Sequence, residues 1–248
     1  MNSDDPAAER DARYSQASDV FRRGWSLYQK IVNNNDMRHV EMGRTLTQLL
    51  QQRPGPFSLL DLGCGDASMA AGSLKDLPVS RYTGVELVPA AAALADQNLD
   101  GVVADRGFVI GNLIDAVRDP VLPRYDVVLA SYSVHHLSRQ EKEELFRDVK
   151  THLADGGMFI LIDLVRLDGE SRDEYMDRFH EFAERTFSVL DAEEKQAVRE
   201  HMNSSDWPEA RSTLRQLAHD GGFASMAEHY HDEAGFYACF TFTPSSLD

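Results

Sequence analysis

Two cysteines in 248 residues are too few for a disulfide framework, and neither Cys64 nor Cys239 sits at zinc-ligand spacing, so both are expected to be reduced thiols. No apolar run approaches the roughly 20 residues that a helical bilayer span requires. The start, Met1-Asn2-Ser3-Asp4-Asp5-Pro6, lacks the positive charge of a signal peptide, and the expected location is cytoplasmic, with no membrane partner. Positive charge is also scarce. Lysine plus arginine total 25 against 41 acidic residues, a formal charge of −16, which repels phosphate backbones where no basic patch offsets it. None is visible, so nucleic acid is not an expected partner. There is no internal repeat, and the length suits one domain with additions.

What is present is a turn. In Leu59-Leu60-Asp61-Leu62-Gly63-Cys64-Gly65-Asp66-Ala67-Ser68 an apolar strand ends near an acid, and two alternating glycines open into a helix. Gly63 and Gly65 permit the tight strand-to-helix turn and let a ligand approach backbone N–H groups. A dinucleotide fingerprint would place a third glycine at Ser68, and Asp61 would repel a pyrophosphate while attracting an ammonium group. The expected ligand head is cationic or zwitterionic. About 20 residues on, the strand Arg81-Tyr82-Thr83-Gly84-Val85-Glu86 ends in a carboxylate placed to accept from a ribose diol.

A third strand, Gly107 to Ile110, ends at Gly111-Asn112-Leu113. A fourth, Tyr125 to Ala130, ends at Ser131-Tyr132-Ser133-Val134-His135-His136-Leu137. In an open α/β sheet these ends face one crevice, so Asp61, Glu86, Asn112 and Ser131 should converge. Asn112 reads either as a hydrogen-bonding partner for an adenine edge or as a turn former. Asp66 either orients the ligand or caps the next helix.

From about Ser58 to Val165 the chain resembles the class I S-adenosylmethionine-dependent methyltransferases, of the small-molecule, methyltransferase domain 12/25-like type. Four motifs carry the resemblance in order: Asp61-Leu62-Gly63-Cys64-Gly65, Glu86, Gly111-Asn112-Leu113, and Leu153-Ala154-Asp155-Gly156-Gly157-Met158-Phe159 before a fifth strand. It implies a doubly wound, Rossmann-like α/β fold with a seven-stranded sheet. S-adenosyl-L-methionine would be held at its methionine part by Asp61, Gly63, Cys64, Gly65 and Asp66, at the ribose by Glu86 with Leu87, and at the adenine by Asn112 and Leu113. Ser131 and Tyr28 complete the implied set. That family more often carries an aspartate at the Asn112 position. The base-methylating members' Asn/Asp-Pro-Pro-aromatic sequence is absent after the fourth strand, which leaves a small-molecule acceptor as the expectation.

Helical spacing from Val20 to Ile31 and from Met37 to Gln51, broken by Arg53-Pro54-Gly55-Pro56, assigns residues 1–52 to N-terminal cap helices ahead of a methyltransferase domain at 53–248. In similar methyltransferases such helices fold over the cofactor; Trp25 and Tyr28 are then lid aromatics or simply a packed apolar stripe. Residues 168–221 read as a helical insertion, an acceptor lid or a dimerisation surface, and an oligomer stays open. Within it, Asn203-Ser204-Ser205-Asp206-Trp207-Pro208-Glu209 reads as a loop in which Asp206 or Ser205 caps a helix with Pro208 in its first turn. Trp207 packing on the acceptor is the alternative.

Methyl transfer is an in-line displacement for which the protein mainly positions the reactants. His135 and His136 are candidates for a general base, His135 being nearer the strand end, or else they scaffold the loop. Tyr132 orients the acceptor or packs. His180, His201, His219, His229 and His231 show no metal-ligand spacing, and Asp126 and Asp163 read as strand residues, so no metal is expected. Two other functions remain: a nicotinamide-dependent oxidoreductase, disfavoured by the missing third glycine, and a catalytically silent methyltransferase-like scaffold.

Overall fold

The computed structural model describes residues 24–244. The Met1–Pro6 start and the first residues of the expected Val20–Ile31 helix lie outside them. Residues 24–33 are helical (α1), and α2 follows at His39–Gln51. Four strand-helix units and a fifth strand come next: β1 (Phe57–Leu62), α3 (Ser68–Leu74), β2 (Val79–Glu86), α4 (Pro89–Asn98), β3 (Arg106–Ile110), α5 (Leu113–Arg118), β4 (Tyr125–Ser131), α6 (Arg139–Val149) and β5 (Leu153–Arg166). Then come α7 (Arg172–Thr186), α8 (Ala192–Ser205), the two-residue β6 (Glu209–Ala210), α9 (Arg211–Asp220), β7 (Phe223–His231) and β8 (Tyr237–Pro244).

The main sheet runs β3-β2-β1-β4-β5-β8-β7, with β6 beside the end of β5. Strands β1 to β5 are parallel, β8 runs antiparallel to β5, and β7 runs antiparallel to β8. This is the expected doubly wound, seven-stranded α/β fold. Its order reverses between β1 and β4, so a crevice opens at their carboxyl ends, where open α/β sheets bind ligands.

Alternation across the sheet explains the apolar runs. Leu59, Val127, Leu129, Ile160, Ile162 and Cys239 face one core layer, while Leu60, Leu62, Val128, Ala130, Phe159, Leu161 and Phe240 face the other. Central strands buried on both faces need continuous hydrophobicity, and β1 is buried at every position.

The insertion after β5 has two characters. Capping boxes start its first helices, Ser171 with Glu174 and Asp191 with Glu194. Helix α7 packs Tyr175, Met176, Phe179 and Phe182 into the first core layer, whereas α8 buries only Met202. In contrast, α9 places Leu214, Leu217 and Ala218 with Phe146 and Phe223 in the second layer, so it covers the sheet. The cap expected near Pro208 is not found. Helix α8 continues through Ser205, Asp206 follows its last turn, and the next helix begins only at Arg211. The cause is tertiary: the Trp207 N–H donates to the His135 carbonyl at 2.7 Å, which holds this stretch extended.

Candidate functional site

At the end of β1 the backbone takes positive φ at Gly63 (74°), Gly65 (56°) and Ala67 (52°). The Gly63 and Cys64 N–H groups both donate to the Val85 carbonyl, at 2.9 and 3.0 Å. Glu86 locks the turn from β2: its Oε2 accepts from the Gly65 N–H at 2.9 Å and its Oε1 from the Val88 N–H at 2.8 Å. Burial pushes the Glu86 carboxyl up, against those backbone donors. A Cβ on Gly65 would meet no atom within 4 Å, so the chain leaves open space on that side of the turn.

Asp61 is buried at the crevice floor. Its Oδ2 accepts from the Tyr82 hydroxyl at 2.8 Å, while its Oδ1 has no hydrogen-bond partner. Burial pushes its pKa up to about 7, with the Tyr82 bond opposing and the Glu86 charge adding to the rise. A buried carboxylate oxygen without a donor fits a ligand that brings one, and an ammonium group is the strongest choice. Burial, with the charges of Asp61 and Glu86, pushes the neighbouring Cys64 thiol far up. It is no nucleophile there.

The other expected residues ring this turn. Leu113 lies 3.8 Å from where a Gly63 Cβ would be. Asn112 caps α5, its Oδ1 accepting from the Ile114 N–H at 2.6 Å, and Asp66 accepts from the Ser68 N–H at 3.0 Å. Leu87 is half-buried after β2, and Ser131 closes β4 in register with Ile162. From above, Tyr28 of α1 contacts His39 (3.3 Å between Oη and Nε2), and both rings feel the Asp66 charge. His39 stacks on Tyr132 at 4.5 Å. Tyr132, at φ 52°, donates its hydroxyl to the Met37 carbonyl and so ties the end of β4 to the segment before α2.

A second constellation lies past β4. Asp163 of β5 grips His135 twice: Oδ2 accepts from the backbone N–H at 2.8 Å and Oδ1 lies 2.5 Å from Nδ1. On its far side, His135 Nε2 is 3.9 Å from Asp206 Oδ1, which is also 3.2 Å from His136 Nδ1 and 3.7 Å from His201 Nε2. His135 is 5% exposed and His136 41%. Burial lowers the His136 pKa but Asp206 more than reverses this, and burial raises the Asp206 carboxyl but the histidines more than reverse that. The sequence pairing of His135 with His136 was legible. Asp206, His201 and Asp163 were missed because their place follows from tertiary packing, and the one signal, an acid after a helix near a tryptophan, fits capping equally well.

Nearby, the Tyr175 and Tyr237 hydroxyls are buried without partners. Each phenol is pushed well above its ordinary value by burial and then by neighbours that include Asp206.

Residues 60–159 match the family model described as a methyltransferase domain. An uncharacterized methyltransferase of Bacillus licheniformis is 27% identical over 59% of this chain, which spans 66% of that relative's length. A carboxy-S-adenosyl-L-methionine synthase of Pseudoalteromonas atlantica is 23% identical over 95% of this chain and 96% of its own. Among solved structures, a DhpI–SAH complex superposes with a TM-score of 0.59 at 14% identity, covering 92% of this chain and 96% of that one. Human N-acetylserotonin methyltransferase with SAM gives 0.57 at 16%, covering 91% and 57%. At these identities the two structures share the fold.

Proposed function

We infer that this chain, whose residues 60–159 match a methyltransferase-domain family model, is a class I S-adenosylmethionine-dependent methyltransferase that transfers a methyl group from S-adenosyl-L-methionine to a small-molecule acceptor. The observation that carries the cofactor reading is the orphaned, buried Asp61 Oδ1 beside an open glycine turn. Asp61 would take the cofactor's ammonium group, Glu86 its ribose hydroxyls, and Leu113 with Asn112 the adenine side. When bound, the cofactor supplies a methyl group already activated by a sulfonium.

The chain's own part is positional. Tyr28, His39 and Tyr132 cover the turn and exclude water, which holds reactants in line. Tyr175 and Tyr237 offer unpartnered hydroxyls to a polar acceptor. His135 and His136, each beside a carboxylate, fix the end of β4 to the end of α8; we assign them positioning roles. The small-molecule reading rests on the acidic composition and on the chain's own helices α7 and α8 packing by the crevice.

The test is incubation with methyl-labelled cofactor and a metabolite extract. A labelled small product and S-adenosylhomocysteine are expected; tight cofactor binding with persistent silence would favour the scaffold. The near full-length likeness to a carboxy-S-adenosyl-L-methionine synthase supports a second reading, modification of the cofactor itself. Mass spectrometry of the spent cofactor separates the two.

Asp61 gives this site a pH signature. Its folded pKa, near 7, lies above the ordinary carboxylate value, so below that pH the free protein holds it neutral and binding an ammonium must expel a proton. Cofactor affinity should fall about tenfold per pH unit below 7. Stability of the free protein has the opposite slope: it declines as pH rises from the ordinary carboxylate range through 7, because the folded state keeps a proton that the unfolded state has lost. Asp61→Asn should abolish the affinity slope, weaken binding, and leave the free protein at least as stable at pH 8. Calorimetry and thermal melts across pH check both; an unaltered slope in the variant would remove Asp61 from the site.

A further inference from the structure

We propose that His135 Nε2, His136 Nδ1 and Asp206 Oδ1 form a binding site for a divalent cation of the zinc class, with His201 Nε2 beside Asp206, which clasps the end of α8 to the end of β4. The three atoms of His135, His136 and Asp206 lie within 4.8 Å of one another. Distances from the Asp206 oxygen to the three ring nitrogens are 3.2, 3.7 and 3.9 Å, bracketing or slightly exceeding the edge of about 3.3 Å that tetrahedral ligands at zinc bond lengths share.

Two independent features point to a cation. Asp206 is 4% exposed, and its Oδ1 makes no hydrogen bond despite three imidazoles around it. A buried carboxylate oxygen in that position needs a positive centre close to it. Asp163 supplies the second. When Asp163 Oδ1 accepts from Nδ1–H, the neutral His135 ring keeps its lone pair on Nε2, 3.9 Å from Asp206 Oδ1. Two electron-rich atoms facing each other repel, and a shared metal ion turns that contact into two bonds. A histidine oriented by an outer carboxylate is the usual support of a zinc ligand.

Imidazole nitrogens with one carboxylate suit Zn2+ over Mg2+ or Ca2+, which prefer oxygen. The ligands come from separate elements: the turn after β4, and helix α8 with the residue behind it. Metal binding therefore couples the insertion to the sheet edge, and it does so whatever the acceptor is and whether or not the cofactor reading holds.

Tag-free, chelator-dialysed full-length protein is titrated with Zn2+ by calorimetry and with Co2+ by visible absorption. One equivalent is expected, with the d–d bands of a nitrogen- and oxygen-ligated site. His136→Ala and His201→Ala change half-exposed side chains and should fold; the first should abolish the site and the second weaken it. Asp163→Asn should weaken Zn2+ about 10- to 100-fold through His135 orientation. No saturable uptake by the unaltered protein, or equal uptake by His136→Ala, overturns the proposal.

Discussion

Gly63→Ala is expected to lower stability by several kcal/mol and to abolish S-adenosylmethionine binding, whereas Gly65→Ala should lose binding at a stability cost of only about 1–2 kcal/mol. At Gly63 the new Cβ would lie 2.7 Å from the Cβ of Ser133. Ser133 has no room to yield, because its hydroxyl donates to the Leu62 carbonyl at 2.8 Å and it is buried. Overpacking of this kind costs about 1–3 kcal/mol. The left-handed backbone at φ 74° adds about 1–2 kcal/mol for a residue with a side chain. Gly65 carries only the second cost, since nothing stands within 4 Å of its would-be Cβ; there the methyl group intrudes on ligand space. Thermal melts beside calorimetry with S-adenosylhomocysteine distinguish the cases. Equal stability of the two variants would show that the Ser133 contact is slack.

Glu209→Ala should destabilise the protein by about 3–5 kcal/mol, the cost of stranding a buried charge, and lower the melting temperature by on the order of 10 °C. Glu209 Oε1 lies 3.2 Å from Lys142 Nζ, and its Oε2 lies 3.6 Å from Arg166 and 3.9 Å from Arg139. Lys142, on α6, is 1% exposed and also donates to the Trp207 carbonyl. Burial lowers its pKa, while Glu209 pulls it back up. Lys142→Met removes the charge while keeping the bulk and should cost far less, because replacing a buried ion by an apolar side chain avoids its desolvation. A Glu209→Ala protein that melts like the unaltered one would show that solvent and the Trp207 carbonyl satisfy Lys142 without it.

The half of the molecule that holds the glycine turn was legible because its signals are local. Asp61 to Gly65 announce a turn in five consecutive residues, and Met158-Phe159-Ile160-Leu161-Ile162 can only be a strand buried on both faces. Glu86 stood out for a similar reason, a carboxylate at a strand end at the expected distance. The cluster around Asp206 was not legible. Its members lie on β5, after β4 and after α8, and no rule of spacing joins residues that far apart in the chain. Lys142 carries no sequence signal either, since it sits among other charges in Arg139-Gln140-Glu141-Lys142-Glu143. Only the packing of α6 against the Trp207–Glu209 stretch shows it buried. Local chemistry specified the glycine turn, and tertiary packing specified the cluster around Asp206.

The place of β8 has a consequence for biosynthesis. It lies between β5 and β7, yet about seventy residues separate the end of β5 from its start, by their positions in the chain. During translation the fourteen-residue β5 can dock on β4 long before its other edge is paired. Until β8 leaves the ribosome, that edge is a row of open backbone donors and acceptors. The synthesis of the segment between β5 and β8 is thus an interval in which the nascent chain is exposed to edge-to-edge association.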